Sequence, residues 1–135
     1  MQLTGLLDLF RDSSVYQDLL KHPNTNTLSD WSIIRSARPF VLAALAKDWR
    51  APIIYVTAQV KRAYNVSEQL PVWLGERQVL RFAEPTPLFY ERIQWGDSVV
   101  RNRLETLAAL MPVDETTLSK NPPVIVTSAR ALMQR

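Results

Sequence analysis

Arg35-Ser36-Ala37-Arg38-Pro39 follows a short apolar run and opens a segment with helical apolar spacing. That is where an α/β nucleotide-binding domain carries its phosphate loop. The residues for the chemistry are missing. A phosphate loop uses glycines so that backbone N–H groups close around the phosphates, a lysine for the β and γ oxygens, and a Ser/Thr for magnesium. The stretch from Ile33 to Phe40 holds neither glycine nor lysine, and the chain's three glycines (Gly5, Gly75 and Gly96) lie elsewhere. Nucleotide hydrolysis by this chain alone is therefore not expected. Arg35 and Arg38 are left with two roles. They hold a phosphate as point contacts at a helix start, or they pair with local carboxylates and lie in solvent. The second is favoured, because a backbone without glycine cannot wrap a triphosphate.

The other unusual string is Glu84-Pro85-Thr86-Pro87-Leu88-Phe89-Tyr90-Glu91-Arg92. Pro85 and Pro87 stiffen it, and no helix or strand period explains Phe89 and Tyr90. The aromatics, with Arg92 beside them, form a platform for a base or a partner protein, or they plug the gap between sheet and helices. The plug is favoured, since Glu84 and Glu91 repel a phosphate backbone. Other catalytic arrangements fail. His22 is the only histidine and stands in a polar loop, so neither a Ser-His-Asp triad nor a histidine metal cluster is supported. The chain has no cysteine, which excludes disulfides, thiolate metal sites and thiol catalysis. Asp114-Glu115 reads as solvated charge, and Lys61-Arg62 and Arg101/Arg103 as helix-surface charges. No catalytic residue, cofactor or metal ligand is expected. Two rival readings remain: a DNA-contacting module using Lys61, Arg62, Arg92, Arg101 and Arg103, and a residual nucleotide-binding domain in which Arg35 and Arg38 replace the lost lysine.

The elements that must position these segments follow from apolar spacing. Leu3, Leu6, Leu7, Phe10 and then Val15, Tyr16, Leu19, Leu20 predict one or two short amphipathic helices, the second capped from Ser13-Ser14. His22 to Asp30 is a polar loop. Trp31 to Arg35 reads as a short buried strand, and Pro39 suits the first turn of the helix that follows. Pro52 to Thr57 reads as a strand covered on both faces. Val60 to Trp73 is a helix with Val60, Ala63, Tyr64, Leu70 and Trp73 inward. Val79 to Phe82 is a third strand. Asp97 caps a helix whose Val100, Leu104, Leu107, Ala108 and Met111 form one stripe. Val124 to Thr127 is a fourth strand, and Ser128 begins a last helix. The alternation predicts an α/β domain, a parallel sheet with helices on both faces. In such a sheet ligands bind beyond the carboxyl ends of the strands, which four segments reach: 35–39, 57–62, 84–92 and 127–130.

Composition agrees with one globular domain: 135 residues, 47% hydrophobic and 21% charged. The net charge of +3 is scattered along the chain rather than gathered on one stripe, which favours an ordinary basic surface over a nucleic-acid groove. No apolar run approaches the ~20 residues that span a bilayer. The N-terminus lacks the pattern of a signal peptide, so no membrane contact and a cytoplasmic location are expected.

Four strings in order, Ser36 to Leu45 (SARPFVLAAL), Pro85 to Arg92 (PTPLFYER), Arg103 to Leu107 (RLETL) and Val124 to Arg135 (VIVTSARALMQR), give the chain a family likeness. It resembles the N-terminal end of the bacterial transcription-repair coupling factors (Mfd). The resemblance implies a helicase-like, UvrB-like α/β domain over 31–135 with a degenerate phosphate loop at Arg35 to Pro39, preceded by a helical extension and loop over 1–30. It also implies a non-catalytic scaffold role in transcription-coupled nucleotide excision repair. In the family, this region supports recruitment of the repair subunit UvrA through a domain inserted after the segment matching Val124 to Arg135. A separate ATP-dependent motor translocates on DNA and displaces stalled RNA polymerase. The chain is thus expected to be a fragment that meets UvrA, RNA polymerase and DNA only through the rest of its parent. Pro85, Pro87, Phe89, Tyr90 and Arg92 are its candidate partner or packing surface.

Overall fold

A computed structural model describes residues 4–20, 31–85, 94–111 and 121–133. Its elements are α1 (Thr4–Arg11), α2 (Ser14–Leu20), a 3-10 turn (Arg35–Ala37), α3 (Arg38–Asp48), β1 (Ile53–Thr57), α4 (Val60–Leu74), β2 (Val79–Phe82), α5 (Asp97–Leu110), β3 (Val124–Ser128) and α6 (Ala129–Met133). The three strands form one parallel sheet in the order β1-β3-β2.

The register puts Ile53, Val124 and Val79 side by side at the start of the strands and Tyr55, Val126 and Arg81 two residues later, all on one face. That face meets α3 and α4: Val124 and Val126 share a core with Leu42, Ala43, Ala46, Ala63, Val66 and Leu70. The small residues of α3 allow it to lie close against α4. The opposite face carries Leu80, Phe82, Ile125 and Thr127, and α5 covers its β2 side. Helices thus lie on both faces, as the alternation of elements predicts. Gly75, with φ of 60°, ends α4, where its N–H donates to the carbonyl of Pro71. A left-handed residue at that point needs glycine.

Two expectations about the strands are corrected. Trp31 to Arg35 is not a strand. Trp31 and Ile34 are 40% and 73% exposed, and a 3-10 turn starts directly after Ile34. The Ile33 N–H donates to the Trp31 carbonyl at 2.9 Å, so the backbone turns locally and leaves too little extended chain for a ladder. The sheet therefore has three strands rather than four among the described residues. Nor is β1 covered on both faces. Ile54 and Val56 are 54% and 48% exposed, because β1 is an edge strand and α5 reaches only the β2 side.

A third correction concerns helix faces. On α5 the stripe of Val100, Leu104, Leu107 and Met111 is exposed, and the fully buried residue is Thr106, whose hydroxyl donates to the Asn102 carbonyl at 2.8 Å. On α4, Val60 and Tyr64 are exposed, whereas Ala63 and Leu70 are buried as expected. Apolar spacing located both helices and misassigned part of the side that faces inward.

The first two helices dock on α3. Leu7 and Tyr16 are completely buried, and Phe10 sits 5.1 Å from both Tyr16 and Phe40, ring centre to ring centre. Ser13 caps α2 by accepting the N–H of Tyr16 at 3.3 Å. A polar clasp closes this contact at the C-terminal end of α3. The Tyr16 hydroxyl donates to Asp48 at 2.7 Å, and the Arg11 guanidinium makes two bonds to the same carboxylate. Arg11, and to a lesser degree Tyr16, hold the Asp48 carboxyl below the usual carboxylate range, while burial and the carboxylate push the Tyr16 phenol up. A depressed folded-state pKa adds stability that is complete above the unfolded-state value and lost as pH falls through the folded-state value. We therefore expect Asp48→Asn to lower stability at pH 7 by about 1–3 kcal/mol. We also expect it to flatten the acid limb below about pH 4. Urea unfolding across pH checks both, with Asp12→Asn, at an exposed position outside the clasp, as the control.

Candidate functional site

The Arg35–Pro39 segment does not offer what a phosphate loop offers. Two of its N–H groups are engaged in the turn: Ala37 donates to the Ile34 carbonyl at 3.0 Å, and Arg38 donates to the Arg35 carbonyl. Pro39, buried in the first turn of α3, has no N–H. Arg38 is partly buried and its Nε donates to the Ile33 carbonyl at 3.3 Å, which ties it to the preceding chain. Arg35 and Ser36 are exposed. No backbone cradle forms here, and the side chain best placed to replace a lysine is engaged locally.

This segment borders a groove of about 350 Å³ beside β1, lined by Trp31, Arg38, Val41, Leu45, Tyr55 and Val56. Apart from Arg38 and Tyr55 its lining side chains are largely apolar.

A second cavity, of about 150 Å³, lies at the carboxyl ends of β2 and β3, between the first turns of α4 and α5. Arg81, Glu84, Ser98, Asn102 and Ser128 give it a polar lining, and Val60 and Phe82 are among its apolar walls. The Arg81 guanidinium stands 5.1 Å from the Tyr64 ring centre. Glu84 is the buried charge: its side chain is 7% exposed, and it ion-pairs with Arg130 at 2.8 Å and accepts the Ser128 hydroxyl at 3.0 Å. Of the segments expected to reach this edge, the structure brings together the ends of 57–62, 84–92 and 127–130, and sets 35–39 apart at the β1 groove. Sequence reasoning named Glu84 only as a repulsive charge. Its partners stand at the β3–α6 junction, Ser128 as the last residue of β3 and Arg130 in the first turn of α6, and no sequence pattern announced the pairing.

Of the candidate partner surface, Pro85 is fully buried. Pro87, Phe89, Tyr90 and Arg92 lie outside the described residues, as do His22, Asp114 and Glu115.

The candidate DNA contacts divide. Lys61 and Arg101 are exposed and Arg62 is half-buried on α4. Arg103, expected as a helix-surface charge, is instead a staple. Its guanidinium lies 3.9 Å from the Phe82 ring centre and 4.8 Å from that of Trp95. It also donates to the carbonyls of Ala83 at 3.2 Å and Ala131 at 3.1 Å. Burial lowers its pKa. A guanidinium with apolar planes on its faces and carbonyls at its edge is satisfied by the fold itself. Among the described residues, no helix is long and apolar enough to cross a membrane.

Comparison with known proteins finds relatives in sequence. The chain is 31% identical over 136 aligned residues to the transcription-repair-coupling factor of Mycobacterium bovis and equally to that of Mycobacterium tuberculosis. The match covers 98% of this chain and 10% of each relative, so the chain spans about a tenth of the length of the curated relatives it matches. The likeness read from the four strings is borne out by this similarity. No family model matches the chain, and no solved structure does.

Arg103→Ala is expected to destabilise the domain by about 2–4 kcal/mol through two orphaned carbonyls and the lost ring contacts. Arg101→Ala is expected to leave stability unchanged. Thermal unfolding of the two variants separates the staple from the surface charge.

Proposed function

We propose that this chain is a non-catalytic α/β scaffold from a transcription-repair coupling factor, acting in transcription-coupled DNA repair. The observation that carries this reading is the similarity to the mycobacterial coupling factors along 98% of the chain. In this reading residues 31–135 are the UvrB-like domain and residues 1–30 a helical extension, joined through Leu7, Tyr16 and the Asp48 clasp. The parent is an ATP-dependent DNA translocase of the cytoplasm, which meets DNA and RNA polymerase through its other parts. The role of this portion is to support the domain that recruits UvrA.

Two features of the chain support a scaffold over an enzyme. The N–H groups at residues 37 and 38 are engaged in a 3-10 turn instead of facing a phosphate. The exposed apolar stripe of α5, with Ile54 and Val56 on the same face of the sheet, also suits a body packed against further protein. The stripe offers contact area and no chemistry.

A pull-down with UvrA as bait tests the supporting role, comparing this chain with one extended through the next domain of the parent. Capture of the extended form alone is expected; equal capture of this chain by itself overturns the reading. A calorimetric titration with magnesium-ATP is expected to be silent, and magnesium-dependent ATP turnover by the purified chain would remove the non-catalytic assignment.

A further inference from the structure

We propose that β1 is an interface for a second copy of this chain, which pairs its own β1 antiparallel to the first about a two-fold axis at Tyr55. Two three-stranded sheets then become one. The inference goes beyond the scaffold reading and does not rest on it. It starts from where the main-chain groups of β1 point. The Ile53 N–H donates to the Pro123 carbonyl at 3.2 Å, so Ile53, Tyr55 and Thr57 direct their polar groups toward β3. Ile54 and Val56 alternate with them and direct theirs away from the sheet. On that side β1 has no neighbouring strand among the described residues.

The order Ile54-Tyr55-Val56 makes this edge complementary to itself. With the axis at Tyr55, Ile54 of one copy stands opposite Val56 of the other, and the reverse pair follows two residues on. Both are hydrogen-bonded pairs of an antiparallel ladder, so every outward N–H and C=O of Ile54 and Val56 finds a partner in the other copy. The side chains agree with that register. Ile54 and Val56, 54% and 48% exposed, meet as apolar cross-strand pairs on one face. On the other face the two half-buried Tyr55 side chains form the closer, non-hydrogen-bonded pair, beside the groove of about 350 Å³. No residue of Ile53–Thr57 is charged, so pairing like with like sets no equal charges against each other within the ladder. The opposite edge of the sheet differs, because β2 carries Arg81, and a charge blunts an edge. A five-residue ladder is small against the ~1,200 Å² that tight complexes bury, so the dimer is a reversible one.

The test is sedimentation equilibrium of the 135-residue chain as wild type, Ile54→Pro and Leu107→Glu. Wild type is expected to pass from one copy toward two between about 10 µM and about 1 mM. A proline whose nitrogen faces outward on an edge strand leaves the ladder to β3 intact and removes one donor from each copy. Ile54→Pro is therefore expected to weaken the dimer at least about tenfold. Leu107→Glu, on the exposed stripe of α5, is expected to dimerise like wild type. Amide exchange at Ile54 and Val56 should slow about tenfold where roughly nine-tenths of the chain is dimeric. Wild type that stays monomeric to about 1 mM overturns the proposal. So do growth beyond two copies, which a two-fold pair does not allow, and a dimer that Ile54→Pro leaves unchanged. Loss of the dimer in Leu107→Glu assigns it to the α5 stripe and overturns the proposal as well. If Ile54→Pro does not melt cooperatively, Val56→Lys takes its place, setting a charge in each cross-strand pair from a half-exposed position. Weakening is again expected, and an unchanged dimer overturns the pairing.

Discussion

The whole sheet depends on β3. It is the only strand with a neighbour on each side among the described residues, and β1 and β2 meet only through it. Every residue from Val124 to Ser128 is buried, because both edges are paired and both faces are covered at the centre. β1 and β2 precede this strand by some 40 to 70 positions, so neither has its sheet partner until the last part of the chain arrives. The long-range pairing is offset by local support: α4 packs on all three strands and on α3, which fixes the layer on which β3 is received. The donors at the end of β3 follow from the same geometry, since Thr127 bonds the Phe82 carbonyl and Ser128 bonds Glu84, both across the β2 side.

How much of this was legible depended on whether the information was local. Val124 to Thr127 was readable as a short β-branched run bounded by Pro123, and Val79 to Phe82 as a short, largely apolar run after Gly75. Helices α3, α4 and α5 were readable from their spacing. The failures share a cause, which is that a residue's type does not say what will stand beside it. Trp31, Ile33 and Ile34 are apolar enough for a strand, yet the 3-10 turn that begins at Arg35 takes the chain elsewhere. Ile54 and Val56 look like a strand's second buried face, and nothing in IIYVT announces an edge. The α5 stripe is apolar on one side, but the period identifies that side without saying whether protein or water covers it.

The charged residues show the same limit more sharply. Arg101 and Arg103 are two positions apart, which on a helix turns them about 200° from each other. One faces water, and the other lies between Phe82 and Trp95 and closes two carbonyls. Glu84 was legible as a negative charge near the sheet edge, but not as a group enclosed by Ser128 and Arg130. Sequence supplied the position of the candidate crevice; the pairing inside it required the fold. Arg35 to Pro39 carries no glycine in the sequence, and in the structure the N–H groups of residues 37 and 38 are bonded within the 3-10 turn.

The edge of β1, unpaired among the described residues, has a consequence for how the isolated chain behaves as a solute. Ile53–Thr57 carries no proline, no lysine and no bulge, and Ile54 and Val56 stand half in water beside it. Natural edge strands are ordinarily blunted by such devices, because an open row of N–H and C=O groups is a template for another strand. Without them, colloidal stability at high concentration rests on a net charge of only +3. Salt that screens this charge weakens the repulsion between copies while leaving the edge intact.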